Sequence, residues 1–228
     1  MPGSPRTSVS VEHFDKVYRS KPDPWGTLHK PYEQEKFADT ASLLPAGRFR
    51  SALEIGCGVG ALTRLLAPHC DHLLATDCSA AAVGQARENC ADLPHLTFET
   101  LRVPSELDAK TLPTHLPSPI DLIVMSEVGY YLSTPDLLLT TARITALLRP
   151  GGHVLLAHWV HDGPDAAPTT SAVQATHATS STTATPDIVT GHGVHQVFRD
   201  RADLQPIDGR TVHRHGNSYR LDLLQRVA

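Results

Sequence analysis

Along most of the chain, short apolar runs of strand length alternate with segments whose apolar residues recur at helical spacing. Residues typical of helix starts separate them, such as Ser79 ahead of one helical segment and Thr134-Pro135 ahead of another. This alternation predicts a doubly wound α/β sheet. The first predicted strand ends before Gly56, and the others cover residues 73–77, 96–99, 119–125, 154–158, 194–198 and 219–227.

The segments outside this alternation have their own patterns. Residues 11–46 carry apolar residues at the spacing of two amphipathic helices, which predicts an N-terminal helical cap on the sheet. Residues 1–10 are rich in Pro and Ser, and we expect them to be disordered. Residues 163–193 are dominated by Ala, Thr, Ser, Pro and Gly, which predicts a mobile lid or a disordered insertion. Residues 194–228 then return to strand pattern.

Composition limits the classes of protein that fit. A chain of 228 residues suits a single domain over 1–228, since domains commonly hold about 100 to 200 residues. The net charge of -4 gives no electrostatic reason to expect nucleic acid, so we expect a small-molecule partner. The start of the chain lacks the apolar core of a signal peptide and no run reaches membrane-spanning length, which predicts a cytoplasmic protein without a membrane segment. Neither the four cysteines nor the histidines have the spacing of a zinc site, so no metal is predicted.

The predicted core, residues 51–159, is organised around a strand, a glycine-rich loop and a helix. Gly56, Gly58 and Gly60 let the backbone turn sharply and approach a ligand closely. Glu54 stands at the end of the strand, where a carboxylate repels a phosphate and suits a cation, and no Lys follows the glycines as a P-loop requires. Asp77 ends the next strand, where doubly wound folds hold the hydroxyls of a ribose. The loop therefore favours a ribose-bearing ligand without a phosphate at this position.

This combination resembles the class I S-adenosylmethionine-dependent methyltransferases, whose glycines alternate, whereas NAD sites usually follow G-x-G-x-x-G. The turn Leu-Arg-Pro-Gly-Gly at 148–152 resembles the same family. The resemblance implies a Rossmann-like sheet of seven strands, mostly parallel with an antiparallel C-terminal strand, and S-adenosylmethionine as cofactor. It assigns cofactor binding to Glu54, Gly56, Cys57, Gly58, Gly60, Asp77, Cys78 and Ser126. The family's Asp-Ala pair after the third strand is absent, so the backbone of residues 101–103 is the remaining candidate for adenine recognition.

Candidate catalytic residues follow the fourth and fifth strands. Open α/β sheets bind ligands beyond the carboxyl ends of their strands, so Glu127, Tyr130 and Tyr131 are predicted to face a methyl acceptor. Glu127 is the leading candidate for a general base or for a carboxylate that orients an amine; a loop carboxylate, and core packing for the tyrosines, are the alternatives. His158 and His161 are candidate catalytic histidines, with a surface or core position as the alternative. Trp159 is a candidate substrate contact.

A second resemblance concerns the methyl acceptor. Asp23-Pro24-Trp25, followed by Tyr32-Glu33 and Lys36, resembles the NodS-like methyltransferases, whose namesake N-methylates the free amine of a chitooligosaccharide. This implies that Trp25 and Tyr32 contact the substrate, with an anchor for the loop as the alternative role of Trp25. The predicted function is N-methylation of an amino sugar or a related amine.

Three other functions remain open. An O-methyltransferase of a natural product would use a histidine as base, a non-catalytic regulator would only bind S-adenosylmethionine, and an NAD-dependent oxidoreductase would bind a different cofactor. The oligomeric state is not predicted.

Overall fold

The computed structural model describes residues 7–160 and 189–227. Helices and strands alternate through most of this part of the chain. The helices are α1 (Val11–Ser20), α2 (Pro31–Ala41), α3 (Ala61–Leu66), α4 (Ala80–Asn89), α5 (Thr134–Leu147) and α6 (Gly191–Arg199). The strands are β1 (Ala52–Ile55), β2 (Leu73–Asp77), β3 (Leu96–Thr100), β4 (Ile120–Ser126), β5 (Leu148–Val160), β6 (Leu204–Arg214) and β7 (Asn217–Arg226).

The strands form one seven-stranded sheet in the order β3-β2-β1-β4-β5-β7-β6. Strands β1 to β5 pair in parallel, and β7 lies antiparallel between β5 and β6. The predicted mostly parallel sheet with an antiparallel C-terminal strand is therefore confirmed. The strand order changes direction between β1 and β4, and open sheets of this kind bind ligands at that point, beyond the carboxyl ends of the strands.

The central strands are buried on both faces, because each face is covered by helices. Along β4, Leu122 and Val124 pack into the core on one face, together with side chains of α2, α3 and α4. Ile123 and Met125 pack into the core on the other face, together with side chains of α5 and α6. All four are fully buried, which explains why this strand has an almost uninterrupted apolar sequence.

The two predicted cap helices are present, and local side chains fix their ends. Ser10 accepts a hydrogen bond from the His13 N–H at the start of α1, and α2 begins with a proline, which is favoured in the first turn of a helix. Between the helices, the Asp23 carboxylate accepts hydrogen bonds from the Thr27 and Leu28 N–H groups at 2.8 and 3.0 Å. These contacts fold the connection into a compact turn.

The prediction of a strand over residues 194–198 is wrong, because this segment belongs to α6. Val194, His195 and Phe198 are buried while Gln196 is exposed, which is the periodicity of a helix and not of a strand. The Thr190 hydroxyl accepts a hydrogen bond from the Gly193 N–H and caps the helix. The missing strand is β6, an edge strand whose side chains are mostly exposed and whose sequence carries no strong apolar signal.

Some predictions fall wholly or partly outside the described residues. His161 and most of the expected lid at 163–193 lie there, as do residues 1–6 of the expected disordered terminus. Within the described part, residues 191–193 belong to α6, and the Val9 N–H donates to the Tyr131 carbonyl at 2.9 Å. No helix in the described ranges combines the length and apolar character that crossing a membrane requires.

The helical assignment of residues 191–199 predicts how two substitutions differ. Phe198→Ala removes a fully buried ring and should lower the free energy of unfolding by about 3 to 5 kcal/mol. Gln196→Ala alters an exposed helix position and should change it by less than about 0.5 kcal/mol. Urea unfolding of both variants measures this. A strand would bury residues 194, 196 and 198 together, so a large loss for Gln196→Ala would contradict the helix.

Candidate active site

A cavity of about 640 Å³ lies beyond the carboxyl ends of β1, β2 and β4 and under the N-terminal cap. This volume is within the range of about 300 to 1,000 Å³ that is usual for small-molecule sites. Predicted cofactor residues that line it are Glu54, Gly56, Cys57, Gly58, Asp77, Cys78 and Ser126. Predicted catalytic and substrate residues that line it are Trp25, Tyr32, Glu127, Tyr130, Tyr131 and Trp159. Of the predicted site residues that the structure describes, it brings together all except Gly60 and His158.

The glycine loop forms the floor of the cavity, and its glycines are needed for different reasons. Gly58 has a φ of 53°, and a Cβ there would lie 3.0 Å from the hydroxyl of Tyr18, which also lines the cavity. Gly60 has a φ of 86°, and a Cβ there would lie 3.0 Å from Cys90 Sγ, between the loop and α4. Gly60 does not line the cavity and is required where the loop packs on α4, and its contact with the cofactor stays a prediction.

Asp77 links the loop to the next helix. Its Oδ2 accepts from the Gly58 N–H at 3.1 Å and its Oδ1 accepts from the Ser79 N–H at 2.9 Å. Burial raises the pKa of Asp77 above its ordinary value, although these hydrogen bonds oppose the shift. The Cys78 thiol also hydrogen-bonds to this carboxylate. Since the two oxygens of a carboxylate offer about four acceptor sites in all, Asp77 retains capacity for a ligand hydroxyl.

Glu54 is buried more deeply, at 1% exposure, and accepts a hydrogen bond from the Thr63 hydroxyl at 2.6 Å. Burial raises its pKa to about 7. The side chain therefore ties the end of β1 to α3 and lies at the inner edge of the cavity. It changes charge close to neutral pH.

The remaining cofactor candidates are neutral. Burial raises the pKa of the Cys57 thiol and raises that of Cys78 to about 12, so neither is a thiolate at neutral pH. The buried Ser126 hydroxyl has no hydrogen-bond partner among the described residues and lines the cavity. The segment 101–103, where backbone recognition of adenine was predicted, also lines the cavity.

Three donors hold the Glu127 carboxylate. Its Oε1 accepts from Lys36 Nζ and from the Trp159 N–H, both at 3.0 Å, and its Oε2 accepts from the Tyr130 hydroxyl. Glu127 has a φ of 58°, a left-handed conformation that costs a non-glycine residue roughly 1 to 2 kcal/mol. Backbone strain of this kind is common at functional sites. Oε2 retains one acceptor site for a further donor.

Lys36 is the buried centre of an ion triad whose two carboxylates are partly exposed. Its ammonium lies 2.8 Å from Glu33 Oε2 and 3.0 Å from Glu127 Oε1, and the residue is only 3% exposed. Burial alone would lower the pKa of Lys36, but the two carboxylates outweigh burial and raise it. The ammonium is therefore charged at neutral pH. Two carboxylates and one ammonium give the triad a formal net charge of -1.

Tyrosine rings close the side of the cavity next to the triad. Tyr130 and Tyr131 meet edge to face with centroids 4.9 Å apart, and Phe14 of α1 packs on Tyr131 at 5.0 Å. Burial, followed by the nearby Glu127 charge, raises the pKa of both tyrosines, so they are neutral phenols. Tyr18 packs on Trp25 at 5.1 Å and joins α1 to the turn before α2.

The expectation that His158 faces the acceptor is corrected by its surroundings. His158 is fully buried and does not line the cavity. Its Nε2 accepts from the Gly129 N–H at 3.1 Å, and its Nδ1 lies 3.2 Å from His195 Nε2. Burial lowers the pKa of His158 well below its ordinary value. Both ring nitrogens are occupied, so the ring is not placed to take a proton from an acceptor.

Three residues of the site were not predicted as such. Lys36 and Glu33 were noted only as part of a motif, and Tyr18 falls within the predicted helical cap at 11–46 without having been singled out. The signal for the first two was a pair of opposite charges three residues apart on a helix, which is also common on exposed helix faces. The partner of Lys36, Glu127, is 91 residues away in sequence, so only the fold reveals the triad.

Comparison with known proteins supports the same assignment. A family model described as a methyltransferase domain matches residues 53–154. The chain is 31% identical over 151 residues to nodulation protein S of Sinorhizobium fredii, an alignment that covers 65% of this chain and 66% of that protein. The chain belongs to the class I S-adenosylmethionine-dependent methyltransferases, as a NodS-like member.

A second curated relative and a solved structure are similar to the chain in the same way. The chain is 32% identical over 135 residues to nodulation protein S of Rhizobium tropici, covering 58% of this chain and 53% of that protein. The solved structure of N-methyltransferase NodS from Bradyrhizobium japonicum WM9, in complex with S-adenosyl-L-homocysteine, has a TM-score of 0.71 and 22% identity, covering 96% of this chain and 99% of that one. The alignments span about half to two thirds of the length of the two curated relatives.

The cavity of this methyltransferase fits S-adenosylmethionine, the cofactor of the family. The unpartnered Ser126 hydroxyl offers a buried polar group, and the loop at Gly58 leaves a space that a side chain would narrow. Asp77 offers free acceptor sites at the end of β2. These groups accommodate a polar ligand that approaches the backbone closely.

The glycine loop of this methyltransferase predicts the effect of one added methyl group. Gly58 and Gly216 both have a left-handed φ, but a Cβ at Gly216 meets nothing within 4 Å. Gly58→Ala should weaken S-adenosylmethionine binding tenfold or more, a loss of about 1.4 kcal/mol, while Gly216→Ala should leave it unchanged. Isothermal calorimetry measures both. Equal affinities for the two variants would show that the loop does not contact the cofactor.

Glu54 predicts a pH dependence of stability. The pKa of Glu54 in the folded protein, about 7, lies above the ordinary value of 4.5. The contribution of the protonated side chain to the free energy of unfolding is therefore complete below pH 4.5 and is lost as pH rises through about 7. Glu54→Gln should remove this loss, which is on the order of 3 kcal/mol between pH 4.5 and 8. Urea unfolding across that range tests it, with the exposed Glu88→Gln as control. Parallel curves for the parent and Glu54→Gln would contradict the assignment.

Proposed function

We propose that this chain transfers the methyl group of S-adenosylmethionine to the nitrogen of a small-molecule amine, such as an amino sugar. The observation that carries the proposal is the triad of Glu33, Lys36 and Glu127, which brings a net charge of -1 to the wall of the cavity. A negative charge in a partly buried wall attracts a cationic ligand more strongly than the same charge would in bulk water. An ammonium group has the required charge.

The chemistry of methyl transfer requires placement above all. The methyl group leaves a positively charged sulfur, and the nitrogen attacks from the opposite side with its lone pair. Holding the two reacting atoms in line contributes up to roughly 7 to 11 kcal/mol in the best-oriented cases. S-adenosylmethionine supplies the activated methyl group, and the side chains of the chain hold the two reactants.

In this proposal Glu127 orients the amine. Three donors already hold its carboxylate, and the remaining acceptor site on Oε2 takes one N–H of the acceptor. An amine that has lost one proton keeps N–H donors and gains the lone pair that attacks the methyl group. The carboxylate thus fixes the direction of that lone pair. The ammonium passes one proton to water before the nitrogen attacks, and the methylated nitrogen then carries the positive charge that the sulfur loses.

Aromatic side chains supply the rest of the acceptor site. Trp25, Tyr32, Tyr131 and Trp159 line the cavity, and aromatic faces attract cations and pack against apolar faces of a sugar ring. The buried Tyr32 hydroxyl has no hydrogen-bond partner among the described residues, so a polar group of the acceptor would satisfy it. An acceptor that carries hydroxyl groups as well as an amine meets both requirements.

The cofactor residues take the roles that their positions support. Asp77 would accept hydrogen bonds from the ribose hydroxyls, and the backbone of residues 101–103 would contact the adenine, since both line the cavity. The glycine loop would hold the methionine part, and a side chain at Gly58 would narrow that space next to the Tyr18 hydroxyl. O-methylation is less well supported, because the histidine that would serve as its base, His158, lies outside the cavity.

The direct test is turnover with paired acceptors. The protein is incubated with S-adenosylmethionine and with amino sugars, each matched by the sugar that carries a hydroxyl in place of the amine. We expect S-adenosylhomocysteine and an N-methylated product from the amines alone. Turnover with the hydroxyl partners would instead establish an O-methyltransferase, and cofactor binding without any turnover would establish a binding protein.

Glu127→Gln provides the matching test of the site. The substitution makes the triad neutral and removes the oriented charge, so turnover should fall about a hundredfold, the scale of a small misplacement of reactants. Cofactor affinity should stay within about twofold, because the proposed contact is with the acceptor. Initial rates and calorimetry measure the two effects. Glu88→Gln, a charge loss on the exposed face of α4, should change neither, and an equal effect of both variants would contradict the role of Glu127.

A further inference from the structure

Behind the turn that carries Glu127, three buried side chains form a continuous chain of hydrogen bonds that the proposed reaction does not use. His158 Nδ1 lies 3.2 Å from His195 Nε2, and His195 Nδ1 lies 2.6 Å from Asp222 Oδ2. The three residues are 0%, 2% and 0% exposed. Neither ring lines the cavity, so these three hydrogen-bonded side chains do not contact a ligand there directly.

Both ends of this chain fix the position of its protons. At one end the Gly129 N–H donates to His158 Nε2 at 3.1 Å, so that nitrogen carries no proton. At the other end Asp222 accepts from Arg199 at 2.9 Å and from Arg220 at 2.7 Å. Burial alone would raise the pKa of Asp222, but the hydrogen bonds from His195 and Arg220 lower it to about 2. Asp222 is therefore a carboxylate, and His195 Nδ1 must carry a proton.

One arrangement satisfies both ends. A neutral imidazole has one donor and one acceptor, so both rings carry their proton on Nδ1, and His158 donates to His195, which donates to Asp222. Burial lowers the pKa of both histidines, which favours these neutral forms. Every polar atom of the chain then has a partner, and a reversed tautomer of either ring would set a donor against a donor.

The chain ends on a tightly packed part of the Glu127 turn. A Cβ at Gly129 would lie 2.4 Å from Val194 Cγ1 and 3.2 Å from His158 Nε2, so the turn lies directly against α6 and the ring. His158 and Trp159 are consecutive on β5 and hold the turn at two points. The His158 ring accepts from the Gly129 N–H, and the Trp159 N–H donates to the Glu127 carboxylate.

We propose that His158, His195 and Asp222 are positioning residues, whose fixed donors and acceptors hold the turn so that the Glu127 carboxylate stays directed at the acceptor. The left-handed backbone of Glu127 is strained, so it persists only where its surroundings hold it. The inference rests on the proposed function, because Glu127 orients the amine in that reaction. The hydrogen bonds connect the turn to His158 on β5, then to His195 on α6, and then to Asp222 on β7.

The test compares two substitutions at His195 with one at a matched histidine. His195→Leu removes the acceptor of His158 Nδ1 and leaves a buried residue, whereas His195→Gln keeps one acceptor and one donor. His153→Leu is the control, because His153 is also on β5 but near the middle of the strand, outside the cavity. For each variant, kcat with an amine acceptor and the Kd of S-adenosylmethionine are measured.

We expect kcat of His195→Leu to fall about 10- to 100-fold with a Kd within about twofold of the parent. His195→Gln should recover most of the lost rate, and His153→Leu should resemble the parent. An unchanged kcat for folded His195→Leu, or equal loss in His195→Leu and His195→Gln, would overturn the proposal.

A spectroscopic measurement tests the chain in the parent protein without substitution. With ¹⁵N-labelled histidine, the His158 and His195 rings should both show the neutral Nδ1–H tautomer at neutral pH. An Nε2–H tautomer or an imidazolium at either ring would overturn the proposed chain of hydrogen bonds. The two possible failures are distinguishable: absence of amine turnover in the parent contradicts the proposed function, while the ring spectra test the positioning chain independently of activity.

Discussion

A single buried ammonium group joins the N-terminal cap to the sheet, and the acceptor side of the cavity depends on it. Lys36 is on α2, and Glu127 follows β4 in the sheet. Leaving the buried ammonium without any carboxylate partner would cost roughly 3 to 5 kcal/mol. The cap therefore closes over the sheet with the two charges paired. The same pairing holds the carboxylate of a residue whose backbone is strained.

The two halves of the site differ in origin. The cofactor half is built by the carboxyl ends of β1 and β2 and by the glycine loop, all within the matched methyltransferase region 53–154. Much of the acceptor half lies outside that region, because Trp25, Tyr32 and Lys36 belong to the cap and Trp159 follows it on β5. Substitutions in the cap can therefore change which acceptor binds without altering the glycine loop that lies on the cofactor side.

Local sequence determines the parts of the fold that were predicted correctly. Each parallel strand is a short apolar run, and Asp77 is recognisable because it ends such a run at a fixed place after the loop. Segment 194–198 was assigned wrongly because Val194, Val197 and Phe198 offer apolar residues to either periodicity over so short a stretch. Strand β6 escaped prediction because an edge strand exposed to water needs no apolar face.

The environment of each candidate catalytic residue depends on contacts that are distant in sequence. His158 looked like a cavity residue because it precedes Trp159 at the end of β5, yet successive side chains of a strand point to opposite faces. Its partner His195 is 37 residues away, and Asp222 is a further 27 residues along the chain. The tautomers of these rings follow from partners that only the folded chain brings together.

A crystal structure with S-adenosylhomocysteine and an amino sugar tests the central claim most directly. The account predicts that the Asp77 carboxylate accepts hydrogen bonds from the ribose hydroxyls and that the sugar amine lies within hydrogen-bond distance of Glu127 Oε2, facing the sulfur. An amine bound away from Glu127, or a nucleoside bound away from Asp77 and the glycine loop, would contradict the account.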